Sequence, residues 1–203
     1  MKQRPIIFNT EMVRAILDGR KTQTRRPMEP QPHQHWHPFS AKAEWYTPTV
    51  IDKKGFYQPA KNQVFGVSDE DQGFVSPFVA VGDQLWVRET FADCGSRLTY
   101  KADKDDGAHC VVKRWTPSIH MPRYCARILL EVTAVRVERL NDISKQDAKA
   151  EGFDYPAVPG MGWKLNAKQN FLFSWDKIYG NRSLNPFVWV IEFKVISTTG
   201  GAA

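Results

Sequence analysis

The apolar residues of this chain fall into short runs with two different periods. Ile6, Ile7 and Phe8 make a brief apolar strand. Behind it Met12, Val13, Ile16 and Leu17 recur at helical spacing, with Thr10 placed to cap the helix and Gly19 to end it in a left-handed turn. Residues 20–26 are polar and Thr-rich and predict a turn leading into an exposed strand, closed by Pro27. Strand patterns recur at residues 85–90, with 98–101 as the hairpin partner, and at 110–115. A long strand follows over 127–140, with Ile128, Leu130, Val132 and Ala134 in alternation, and a strongly apolar one over 187–195. Ser144 with Asp147 three residues on resembles a capping box, so a short helix runs to about Glu151 and stops at Gly152. A second helix over 166–179 carries Phe171, Leu172, Trp175 and Ile178 and ends at Gly180.

Between Pro27 and Pro77 lie seven of the thirteen prolines and no sustained period. Residues 27–78 therefore read as a long irregular insertion, with 55–58 and 64–67 as the stretches able to form short strands. Strands dominate, and helices stand at the start and after the long strand. This pattern predicts an α+β fold, a small mixed barrel with flanking helices, as one domain over residues 1–197. Residues 198–203 read as a disordered tail.

Composition changes this picture little. Hydrophobic residues at 42% and charged residues at 25% are ordinary for a folded domain. No stretch is long and apolar enough to cross a bilayer, and the amino terminus lacks a signal-peptide core, so the expectation is a cytoplasmic protein with no membrane partner. Cys94, Cys110 and Cys125 form no CxxC pair and read as three reduced thiols. The net charge of +6 is modest, but its distribution is uneven. Residues 1–30 carry seven Lys/Arg against three acids, and 113–127 carry four against none, a pattern that fits contact with a polyanion.

The run Gly19-Arg20-Lys21-Thr22-Gln23-Thr24-Arg25, directly after an amino-terminal amphipathic helix, resembles the GRKT signature of ASCH domains. Val81-Gly82-Asp83-Gln84-Leu85 resembles that family's GD turn. Residues 143–152, with Ala148 and Glu151, are similar to the helix after its long strand, and Trp189-Val190-Ile191-Glu192-Phe193 to its closing strand. The blocks keep the family's order and bracket nearly all of the chain apart from the insertion. With Ser118-Ile119-His120-Met121-Pro122-Arg123, the arrangement looks most like the larger ASCH-related proteins of bacteriophages and prophages. The resemblance implies a PUA-like barrel, and a partner that is RNA or a modified pyrimidine nucleoside. Some small bacterial ASCH proteins are amidohydrolases that deacetylate N4-acetylcytidine, and their Lys, Thr and Glu catalytic residues match Lys21, Thr24 and Glu151. Other members are reported as ribonucleases or RNA binders.

The trio makes chemical sense for amide hydrolysis without a metal or cofactor. A Thr hydroxyl needs a base, a Lys serves if its pKa is lowered, and a Glu can handle the proton of the departing amine. Lys21 and Thr24 point to opposite faces of an ideal strand, so they converge only if residues 20–22 still belong to the turn. The same residues also suit an exposed polar edge strand, and Glu151 an ordinary solvated helix end. Arg20, Arg26, Trp86, Arg88, His120 and Arg123 are the candidate substrate- or nucleic-acid-binding residues. Trp86 and Arg88 share a strand face for stacking and phosphate contact, while Glu89 lies on the other. His33, His35 and His37 alternate as ligands would, yet no acid accompanies them, and 101–107 lacks the closing carboxylate of a calcium loop. No metal site is assigned. Three readings stand: an amidohydrolase, a non-catalytic nucleic-acid-binding module, and a metal-independent ribonuclease.

Overall fold

The computed structural model describes residues 1–29, 31, 44–61, 63–66, 73–74, 80–95, 97–103, 112–153 and 166–198. In chain order the elements are β1 (Gln3–Ile7), α1 (Thr10–Leu17), β2 (Gln23–Pro27), β3 (Glu44–Tyr46), β4 (Thr49–Ile51), β5 (Tyr57–Pro59), β6 (Val64–Gly66) and β7 (Gly73–Phe74). They continue with β8 (Gln84–Arg88), β9 (Phe91–Asp93), β10 (Leu98–Tyr100), β11 (Leu129–Arg139), α2 (Lys145–Ala150), α3 (Ala167–Tyr179) and β12 (Phe187–Ser197). The fold is α+β, as the pattern predicts.

Its centre is a five-stranded mixed sheet in the order β1-β8-β11-β12-β2. β1 runs parallel to β8, and the other pairs are antiparallel. Among the described residues β1 and β2 remain opposite ends of an open sheet, so the expected barrel is not closed. β12 is buried on both faces along Val188, Trp189, Val190 and Ile191, which explains why it reads as a continuous apolar run and not as an alternation. One face carries Leu85, Leu130, Val132, Ile191 and Phe193 against Val13 and Ile16 of α1. The other carries Val188 and Val190 against Phe171, Leu172 and Trp175 of α3 and Ala148 of α2. Ile178 of α3 stays outside this core, 55% exposed.

Local chemistry sets the helix ends. Asn9, not Thr10, caps α1, because its side chain accepts from Met12 N at 2.8 Å; Gly19 follows with φ +72. Ser144 caps α2 as its motif predicts, taking Asp147 N at 3.0 Å. Asn166 and Gln169 form a full capping box on α3, and Gly180 closes that helix.

Three expectations are corrected. β10 pairs with β9 instead of with the strand at 85–90, because both edges of β8 are already taken by β1 and β11. Within 110–115, the described residues 112–115 form no strand, and contact with β9 comes instead through a bridge between Phe91 and Thr116. Cys94 is disulfide-bonded while Cys125 is free and buried, so the expectation of three reduced thiols fails. The insertion supplies β3, β6 and β7 as one small sheet and β4–β5 as a separate hairpin, with strands near both stretches singled out from the sequence. Trp45 of β3 anchors it on Trp189, ring centroids 5.8 Å apart.

Candidate functional site

Lys21 lies just before β2 and forms an antiparallel bridge with Glu151, the residue that caps the carboxyl end of α2. The backbone approach is close: Thr22 N donates to Ala150 O at 2.8 Å, and Lys21 N to Ala15 O of α1 at 2.9 Å. Gly152 makes this possible. Its φ is +94, and a Cβ there would stand 2.8 Å from the Ala15 Cβ, so the junction of α1, α2 and β2 requires a glycine.

Buried in that junction, the Lys21 ammonium spends all three donors. They go to Gln23 O at 2.8 Å, Glu151 O at 3.0 Å and Glu151 Oε2 at 2.6 Å. Arg25 reaches the other carboxylate oxygen, Oε1, at 3.2 Å and Glu138 Oε1 at 2.6 Å, while its Nε is buried without a partner. Burial pushes the pKa of Lys21 below its ordinary value; Glu151 opposes this, and Arg26 and Arg25 add to it. An acid at a helix carboxyl end is unfavourable by the dipole, and these two cations supply the compensation.

The network continues through Gln23, whose amide donates to Asp147 Oδ1 at 3.0 Å, and Arg136, which reaches Asp147 at 3.2 Å and also pairs with Glu192. Burial raises the Asp147 carboxyl, but Ser144, Gln23, Arg25 and Arg136 outweigh it and hold the group below its ordinary range.

The structure therefore joins Lys21 and Glu151 and brings in Arg25, Gln23 and Asp147, which sequence reasoning missed. The spacing Lys21, Gln23, Arg25 was the available signal, since alternate residues of one strand share a face. Thr24 is buried in β2 beside Ile191, and none of the three Lys21 hydrogen bonds goes to it. Next to Glu151 and Gly152 is a cavity of about 20 Å³ lined also by Asn9, Met12 and Ser174, room for about one water. Arg20 flanks the junction, pairing with Asp18 at 2.8 Å and donating to Gly152 O at 3.2 Å. Arg26 lies over Phe8 and donates to Ile7 O at 2.7 Å and Tyr179 Oη at 3.3 Å.

The other predicted residues gather elsewhere. Trp86 of β8 is half-buried, with Phe91, Met121, Cys125 and Ala126 beside it. Arg88 and Arg123 stand over its ring, guanidinium carbons 5.6 and 5.9 Å from the centroid. Arg88 also holds the Ser118–His120 turn, donating to Ile119 O and, at 3.1 Å, to Met121 O. That turn leaves His120 exposed, and the next, Arg123–Cys125, leaves Tyr124 79% exposed. Arg123 donates to Gln3 Oε1 at 3.3 Å.

One residue past β8, Glu89 is buried and takes a bidentate pair from Arg127 at 2.9 and 3.1 Å; Arg127 also meets Asp103 at 2.7 Å and lies 4.0 Å from the Tyr100 ring centroid. Arg127, part of the basic cluster in the sequence, is thus committed internally. Among the described residues no three His, Cys, Asp or Glu side chains are gathered to hold a metal, and His33, His35 and His37 lie outside those residues.

No family model matches the chain, and no curated protein matches it. Two solved structures are similar to it. Protein EF3133 of Enterococcus faecalis, described by the family model DUF984, shares 9% identity at a TM-score of 0.43, over all of this chain and 86% of that one. An ASCH domain from Lactobacillus crispatus shares 15% identity at a TM-score of 0.39, over 97% of this chain and 80% of that one.

Proposed function

We propose that this protein is a nucleic-acid-binding module that takes single-stranded RNA on the surface around Trp86. The observation that carries this reading is the half-buried Trp86 ring with Arg88 and Arg123 over it. A half-exposed indole with guanidinium groups against it offers planar surfaces on which an unstacked base can stack, and the same cations suit the adjoining phosphates. The exposed His120 and Tyr124 extend the same surface. Anisotropy titration of a labelled oligoribonucleotide tests it: because Trp86 also packs on Phe91 and Met121, Trp86→Ala is expected to lower the melting temperature and, at a temperature where it remains folded, to weaken binding as well; unaltered affinity of the folded variant would remove the reading.

A second reading has its own support. The 2.6 Å contact between Lys21 and Glu151, with the lysine pKa lowered by burial, is the kind of pair an amidohydrolase acting on N4-acetylcytidine would use. In that chemistry a neutral Lys21 amine accepts the Thr24 hydroxyl proton as Oγ bonds the acetyl carbon, Glu151 passes a proton to the departing cytosine amine as its C–N bond to the acetyl group breaks, and water then hydrolyses the acetyl-Thr24 ester, releasing acetate and restoring the hydroxyl. The junction would have to open to admit the substrate. Acetate release by the wild type that collapses in Thr24→Val would establish this reading; no release by the wild type would end it.

A further inference from the structure

Among the described residues the β4–β5 hairpin is set apart by having no buried side. Val50, Ile51, Phe56 and Tyr57 are 45, 63, 64 and 77% exposed. Thr49 pairs with Pro59, Val50 with Gln58 and Ile51 with Tyr57, so Ile51, Tyr57 and Pro59 share one uncovered face. A two-stranded hairpin without a core is marginal by itself, and this one is held by its turn. Asp52 accepts from Lys54 N at 2.8 Å and Phe56 N at 3.0 Å, and from the Gln58 side chain at 2.8 Å. The single acid is spent inside the turn, which leaves the exposed Lys53, Lys54 and Lys61 to set the charge around the aromatic tip.

We infer that this hairpin is a second contact for the same ligand, single-stranded RNA. Phe56 and Tyr57 stack on unpaired bases, and Lys53, Lys54 and Lys61 meet the flanking phosphates. Charge selects the occupant: an uncovered aromatic pair amid three lysines, with Asp52 the one acid of residues 49–61 and already used in the turn, complements a polyanion with flat apolar bases, and a neutral apolar partner would leave the lysines unmatched. The inference rests on the RNA-binding reading and gives part of the insertion a role within it.

The test uses the full chain, a fluorescein-labelled oligouridine and three variants: Phe56→Ala/Tyr57→Ala, Lys53→Gln/Lys54→Gln and Trp86→Ala. Because the hairpin side chains are exposed, its variants are expected to melt like the wild type. Loss of the two rings should weaken binding by about fivefold or more per base unstacked. Loss of the two lysines should flatten the plot of log affinity against log salt by about 0.7 for each phosphate contact removed. If both hairpin variants bind as the wild type does while Trp86→Ala is weakened, the hairpin inference is overturned and the Trp86 reading stands. Weakening by the hairpin variants alone overturns the Trp86 reading and keeps the hairpin. A wild type that binds no oligouridine overturns both. Hairpin variants that lose binding to phosphatidylserine vesicles but keep RNA affinity would assign the surface to a lipid and overturn the inference.

Discussion

Lys21 and Arg25 meet Glu151 with side chains at most 2% exposed, whereas Arg88 and Arg123 meet Trp86 at a half-open surface. Both regions pair cations with partners that suit them, but the consequences differ. In the first, every Lys21 donor is used and the partners of Lys21 and Arg25 lie on β2, β11 and the end of α2, so the charges fix how those segments join. In the second, the cations lie over an aromatic ring that is only half-buried, and a ligand can complete the contact. Burial turns ion pairing into a constraint on the fold, and partial exposure keeps it available for recognition.

The contrast is sharpest in Glu151→Gln. That change leaves two buried cations short of a counter-charge and should cost about 3–5 kcal/mol of unfolding free energy, read from a urea titration. A loss below about 1 kcal/mol would mean the junction is hydrated and open, which would favour catalysis there. Gly152→Ala probes the same junction by shape: its Cβ meets Ala15 at 2.8 Å in a backbone conformation that disfavours L residues. It should cost about 1–3 kcal/mol, seen as a lower Tm, without altering RNA affinity beyond the folded fraction. On the other side of the comparison, Trp86→Ala should weaken RNA binding by about 1–3 kcal/mol. Arg123→Gln should flatten the salt slope by about 0.7.

The smallest expected effect is on pH dependence. Burial raises the Glu89 carboxyl above its ordinary 4.5, although Arg127 opposes the shift and Asp103 adds to it. The folded state then keeps a proton that the unfolded chain has already lost, so unfolding free energy falls as pH rises from 4.5 through the folded value. Lys21 behaves oppositely at the alkaline end. Its folded pKa lies below 10.5, the unfolded chain binds more protons in that window, and stability rises as pH climbs toward 10.5. Unfolding titrations of wild type and Glu89→Gln across the acid window should differ in slope, the variant being flatter; parallel curves would show that Glu89 titrates normally.

Much of the architecture was legible because it is local. The cap at Ser144, the stop at Gly180 and the long strand before α2 follow from residues within a turn of one another. The hairpin partner of residues 85–90 was misassigned because nearness in sequence suggested β10, while β1 and β11 came from 80 residues earlier and 40 later to occupy both edges. For the candidate sites, residue types were readable and their grouping was not. Lys21 and Glu151 stand 130 positions apart yet touch, whereas Thr24, three positions from Lys21, shares none of its hydrogen bonds. Arg127 reads as one more free cation until Glu89 and Asp103 are seen to hold it.

The sequence by itself determined the α+β class, the three helices and the long strands that flank them, and the residues able to stack, pair or bind phosphate. These depend on periodicity, capping and side-chain chemistry, which act over a few residues. Only the tertiary structure decided that the sheet is open among the described residues, that Lys21, Arg25 and Glu151 are sealed together, and that Trp86 is left at a surface with two arginines over it. Those outcomes depend on which distant segments exclude water from a given charge, and exclusion of water is a property of the packed molecule.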